Sequence, residues 1–155
     1  MKNKGITLTS LVITIVVLLI LAGITTTIGK NIIEKANLES LKTNMLLIQA
    51  EAKSSLEEYI FSKDETTLIG TKIEDKDTQI IQKLNKAGIN DIENWYYLDD
   101  TNFKEMNLSD VKPNKGEYFL IKYDKESLEV EVLHTTGYTE NGQTKYTLTD
   151  LKNVE

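Results

Sequence analysis

From Gly5 to Gly29 the chain carries no charged side chain. The run ITLTSLVITIVVLLILAGITTTI follows a five-residue head that holds Lys2 and Lys4 and ends at Gly5. About 20 apolar residues in helical form cross the hydrocarbon core of a bilayer, and this run supplies them. A cleavable secretory signal has a shorter apolar region, about 7–15 residues, and a small-x-small cleavage site. Here the run is longer, and Ala22-Gly23 makes a poor site. The physics predicts one membrane-spanning helix over residues 6–29, single-pass in the cytoplasmic membrane. The basic head places the N-terminus inside, with the remainder of the chain outside.

Charge returns after Gly29, but the helical period continues. Leu38, Leu41, Met45, Ile48, Ala52, Ser55 and Tyr59 recur at spacings of three and four, which puts them on one helix face. Ser55 is the polar exception. No proline interrupts residues 30–62. The pattern predicts one helix from Ile6 to about Ser62, roughly 85 Å long at the usual rise. Residues 6–29 form its apolar half and 30–62 its extracellular half. A two-stranded coiled coil is the alternative for the same spacing. Gly23 to Gly29, with two glycines and three threonines, has the poorest helix propensity of the run.

Residues 63–155 read as a small domain. Lys63 to Asp77 has loop composition. A short helix starts at Asp77 or Thr78, carries Ile80, Ile81, Leu84 and Ala87 on one face, and ends at Gly88. Trp95 to Leu98 is extended, and Asn102 to Asp110 makes a helical turn or two. Glu117 to Tyr123 and Leu128 to His134 read as strands, the second alternating apolar and acidic so that one face is wet. Asn141-Gly142 marks a tight hairpin turn, with an arm from Gln143 to Leu148. The fold class is α+β: an antiparallel sheet of about four strands laid on the C-terminal half of the long helix.

The junction between head and run has a further meaning. Lys4-Gly5-Ile6-Thr7-Leu8, followed after Thr9 and Ser10 by LVITIVVLLILAGI, resembles the class III signal of type IV pilins and pseudopilins. The resemblance covers roughly the first 25 residues. It implies that a prepilin peptidase cuts between Gly5 and Ile6 and that Ile6 becomes the N-methylated terminus. Residues 1–5 are then a leader, and their removal takes the formal side-chain charge from −6 to −8. It also implies a pilin-like fold and a structural role in a pilus, a secretion pseudopilus or a competence machine. Membrane lipid, prepilin peptidase, other pilin subunits and an assembly platform protein are the implied partners, with no cofactor.

One position departs from the family. The fifth residue after the cut is usually Glu, thought to pair with the N-terminal amine of a neighbour in the membrane, where an unpaired ammonium is costly. Here it is Ser10. The departure bears on whether the subunit is major or minor. It also favours an alternative, a non-polymerising, membrane-anchored extracellular binding module.

Composition narrows the remaining classes. There is no cysteine, so no disulfide staples the outer domain. Every basic residue is lysine, a usage that points to an AT-rich genome and suits a Gram-positive pilin type. An acidic chain without arginine argues against a dominant phosphate-binding surface and gives no strong nucleic-acid signal, though it leaves room for a local lysine patch. The single histidine, His134, has no second histidine or cysteine for a zinc site or a triad. The acidic clusters Glu74-Asp75-Lys76-Asp77 and Asp99-Asp100-Thr101-Asn102 have no EF-hand spacing and read as solvated loops. The chain is therefore expected not to be an enzyme.

Overall fold

The computed structural model describes the backbone of residues 8–154 and the side chains of residues 13–19 and 32–154. Helix α1 runs from Leu8 to Ser62. The expected leader, residues 1–5, and Ile6 lie outside the described residues. Of the expected membrane span, the described side chains are those of residues 13–19, and all are exposed. Among the described residues, no helix is long and apolar enough to cross a membrane. The chain divides into two compact units, Met1–Glu39 and Ser40–Glu155.

Within the second unit, α1 buries the stripe that its sequence spells. Met45, Ile48, Ala52, Ser55 and Leu56 are buried, and Leu41 and Tyr59 are half-buried. The chain's own sheet supplies partners along this stripe. Gln49 Nε2 donates to the Val130 carbonyl at 2.6 Å, and Ser55 Oγ lies 3.3 Å from Tyr123 Oη. A coiled coil is thus not needed to cover this part of the stripe.

The sheet has five antiparallel strands in the order β1 (Thr71–Lys72), β2 (Trp95–Tyr97), β3 (Phe119–Asp124), β4 (Glu129–Glu140) and β5 (Gln143–Thr147). Register aligns Tyr96 with Ile121 and Ile121 with Val132, and pairs Tyr123 with Val130. These side chains share the face that meets α1, since side chains alternate along a strand. The opposite face carries Trp95, Leu120 and Leu133. Helix α2 (Thr78–Lys86) closes it with Ile80 and Leu84, and Tyr97, Tyr118 and Tyr146 rim the resulting core. Leu84, Leu120 and Leu133 are fully buried, so each contributes roughly 1.5–3 kcal/mol of transfer free energy.

The covering of both faces corrects three expectations. The wet face expected for β4 holds only to Glu131; Val132 to Thr135 are all buried. The sheet has five strands rather than about four, because Thr71 and Lys72, in the expected loop, pair with β2 and Ile73 enters the core. Leu128 starts no strand: it lies exposed in the β3–β4 turn with φ of 60°.

Two short helices complete the unit. Helix α3 (Asp100–Glu105) opens on a capping box: Asp99 Oδ1 accepts from the Thr101 and Asn102 N–H groups, and Asn102 Oδ1 accepts from the Asp99 N–H. Helix α4 (Leu148–Lys152) buries Leu148 and Leu151. Val154 follows it into the core, and Lys42 Nζ on α1 donates to the Val154 carbonyl at 2.8 Å.

Candidate functional site

The residues that the sequence marks most strongly are at the N-terminal end. Gly5 and Ile6 lie outside the described residues. Ser10 belongs to α1, and its side chain lies outside them as well.

In the second unit the marked residue is His134. Its sequence position suggests a strand end, but β4 continues to Glu140, so the imidazole sits inside the sheet. It is 8% exposed, and its ring lies 4.7 Å from that of Phe119, its cross-strand neighbour. Nε2 stands 3.6 Å from Glu117 Oε2, while Nδ1 is buried with no hydrogen-bond partner among the described residues. Burial pushes the imidazole pKa down, and Lys83 acts in the same direction; the Glu117 carboxylate only partly opposes them. Burial therefore favours the neutral form of the ring. Burial would raise the Glu117 carboxyl, but hydrogen bonds from Thr136 and Asn114, helped by His134, leave its pKa below the ordinary value.

Glu117 forms part of the wall of a cavity of about 690 Å³, together with Tyr97, Asp99, Phe103, Asn114 and Tyr118. A buried base is useful only where a nucleophile or substrate proton lies within hydrogen-bond reach. Among the described residues no hydroxyl or amine side chain is hydrogen-bonded to His134. A second cavity, of about 390 Å³, is faced by Lys53, Lys122 and Lys152 and by Asp124, Glu129 and Glu131. Its charges are of both signs, and Glu131 already accepts hydrogen bonds from the Thr149 N–H and hydroxyl.

No protein-family model, curated protein or solved structure matches the chain.

The two acidic clusters serve local structure. Glu74 pairs with Lys76 at 2.7 Å, and Asp77 Oδ2 accepts from the Glu74 N–H. Asp99 caps α3, and Asp100 lies 3.5 Å from Lys112. Among the described residues, no group of three or more histidine, cysteine or acidic side chains is placed to hold a metal. Sequence reasoning misses one charged cluster altogether. Lys125 Nζ lies 4.7 Å from the centre of the Tyr59 ring and 2.6 Å from Glu65 Oε1, tying the β3–β4 turn to the end of α1. Those residues stand far apart in the chain, and no local spacing announces them.

Proposed function

We propose that the chain is a structural subunit of a type IV pilus or pseudopilus. Prepilin peptidase trims it after Gly5, Ile6 is methylated, and the N-terminal helix carries it from the cytoplasmic membrane into a filament. The observation that carries this reading is the junction Lys4-Gly5-Ile6 opening directly onto an uncharged apolar run. A long helix followed by a small antiparallel sheet is the architecture that such a subunit uses, and it supports the reading. Assembly exchanges lipid for neighbouring apolar helices. Small residues such as Ala22 and Gly23 allow close approach there, and the acidic domains face outward. Other subunits, an assembly platform protein and the peptidase are the partners this role requires.

The test is the mass of the N-terminal peptide from native membranes. A peptide beginning at Ile6 with a gain of about 14 Da for the methyl group supports the proposal. A chain that still begins at Met1 overturns it. Ser10 favours a second reading, a membrane-anchored binding module that never polymerises, because the usual carboxylate partner for a neighbouring amine is missing. The readings part at Gly5→Leu. The subunit reading requires loss of processing, and the anchor reading requires no change in size or location.

A further inference from the structure

β4 and β5 are joined by two residues, Asn141 and Gly142, with Glu140 paired to Gln143 across the turn. Both loop residues are exposed, with φ of 50° and 79°, as a type I′ turn requires. Asn141 is followed by glycine, and no other asparagine in the chain is. Neither the Asn141 side-chain amide nor the Gly142 N–H has a hydrogen-bond partner among the described residues. A Cβ on Gly142 would meet nothing within 4 Å. The main-chain nitrogen after Asn141 is thus both unhindered and open to base.

We propose that Asn141 is a site of spontaneous deamidation, a covalent ageing mark at the tip of the β4–β5 hairpin. Asparagine is among the chemically labile residues, and glycine on its C-terminal side removes the steric barrier to ring closure. Base takes the proton from the Gly142 nitrogen, which attacks Cγ of Asn141. The bond from Cγ to the side-chain nitrogen breaks, and that nitrogen leaves as ammonia. Water then opens the five-membered imide. Opening at Cγ gives aspartate on an unchanged backbone. Opening at the main-chain carbonyl gives isoaspartate, whose backbone runs through Cβ and Cγ. One water is consumed and one ammonia released, with no change of oxidation state.

Ring closure requires the turn to leave its left-handed conformation, which loosens the adjoining Glu140–Gln143 pair at the open end of the ladder. Below the tip stand one hydroxyl pair, Thr139 with Thr144 at 2.9 Å, and one ion pair, Lys145 with Glu140 at 3.9 Å. β5 is an edge strand, and among the described residues no further strand pairs with its outer side. Aspartate at position 141 sets a second carboxylate beside Glu140. Isoaspartate adds a carbon to a loop of two residues and breaks the turn that fixes the register of this end of the hairpin.

The test incubates the full-length protein, folded, in neutral and in alkaline buffer, followed by tryptic peptide mapping. The peptide Glu126–Lys145 holds Asn141 as its only asparagine. The expected result is a gain of about 1 Da in that peptide, split between two chromatographic species and faster in alkaline buffer. Peptides holding Asn90, Asn94 and Asn114 stay unchanged over the same period. The gain is abolished in Asn141→Gln, whose longer side chain disfavours the five-membered ring. The proposal is overturned if the folded protein keeps Asn141 intact while the urea-unfolded chain loses it, since the turn then protects the site. It is overturned equally if another asparagine reacts first.

Discussion

Ser55 Oγ on α1 and Tyr123 Oη on β3 lie 3.3 Å apart, and both side chains are buried. Each breaks an otherwise apolar row, and each is the other's polar partner. Tyr123 Oη also lies 2.9 Å from the Ile69 carbonyl and Ser55 Oγ 2.9 Å from the Ala52 carbonyl, so two hydroxyl protons serve three contacts. Removing one hydroxyl leaves the other side with a single remaining partner. Ser55→Ala is expected to cost about 1 kcal/mol, and Tyr123→Phe about 1–3 kcal/mol because it strands the Ile69 carbonyl. The double variant should cost less than the sum of the two. Urea unfolding followed by the fluorescence of Trp95, the one tryptophan, measures all three.

Burial pushes the Tyr123 hydroxyl from its ordinary 10.0 up to about 12. The unfolded chain then ionises first as the pH rises. Stability from this group is intact below pH 10.0 and declines toward about 12, by roughly 2–3 kcal/mol for such a shift. Tyr123→Phe is expected to remove much of the alkaline loss in stability across that window. A slope unchanged by the substitution would place the loss elsewhere.

His134 contributes on the mildly acidic side. Its imidazole is held below 6.5 by burial, so the unfolded state takes up the proton first. Its contribution is present above pH 6.5 and is lost as the pH falls. Glu117 faces it and Lys83 lies near enough to act on it. Glu117 keeps its charge to lower pH, because its own pKa is depressed below 4.5. His134→Leu should therefore flatten the dependence of urea midpoint on pH in the mildly acidic range, whatever it does to the midpoint at neutral pH.

Gly137 lies where β4 shifts register against β5, between Leu133 and Tyr138. Its φ is 65°, and a Cβ there would run into the Lys145 carbonyl oxygen and lie 2.9 Å from Tyr146 Cδ1. Gly137→Ala is expected to destabilise the domain by about 3 kcal/mol or more, from backbone strain plus a clash with fixed main chain. Gly142→Ala has a similar φ but open space around it, so it should cost only the strain, about 1 kcal/mol. The difference between their melting midpoints isolates the clash.

Local patterns carried most of the elements. The stripe from Met45 to Leu56, the span of α2 and the Asn141-Gly142 turn all follow from spacings within a dozen residues, and the structure contains them. What the sequence concealed is what depends on contacts across the chain. The alternation of β4 suggests a wet face, yet Leu133 is buried because α2, joined through a long irregular segment, folds over it. Ser55 reads as a flaw in a stripe until Tyr123 stands opposite. Lys125 reads as a turn residue until Tyr59 and Glu65 surround it. The candidate site divides in the same way. Gly5, Ile6 and Ser10 are legible as a linear signal, whereas the environment of His134 comes from Glu117 and Phe119 on the neighbouring chain segment.

The five strands stand in space in the order in which they occur in the chain. Each new strand therefore adds to an edge already built, and none has to be inserted between two others. A chain emerging from its N-terminal end can lay down this sheet progressively, each strand pairing with the one before it. The late event is the return of the C-terminal segment to α1, where Lys42 meets the Val154 carbonyl across 112 positions. Synthesis from the N-terminus thus suits this topology, since each strand can pair with the one before it and the contact between Lys42 and Val154 has to wait for the end of the chain.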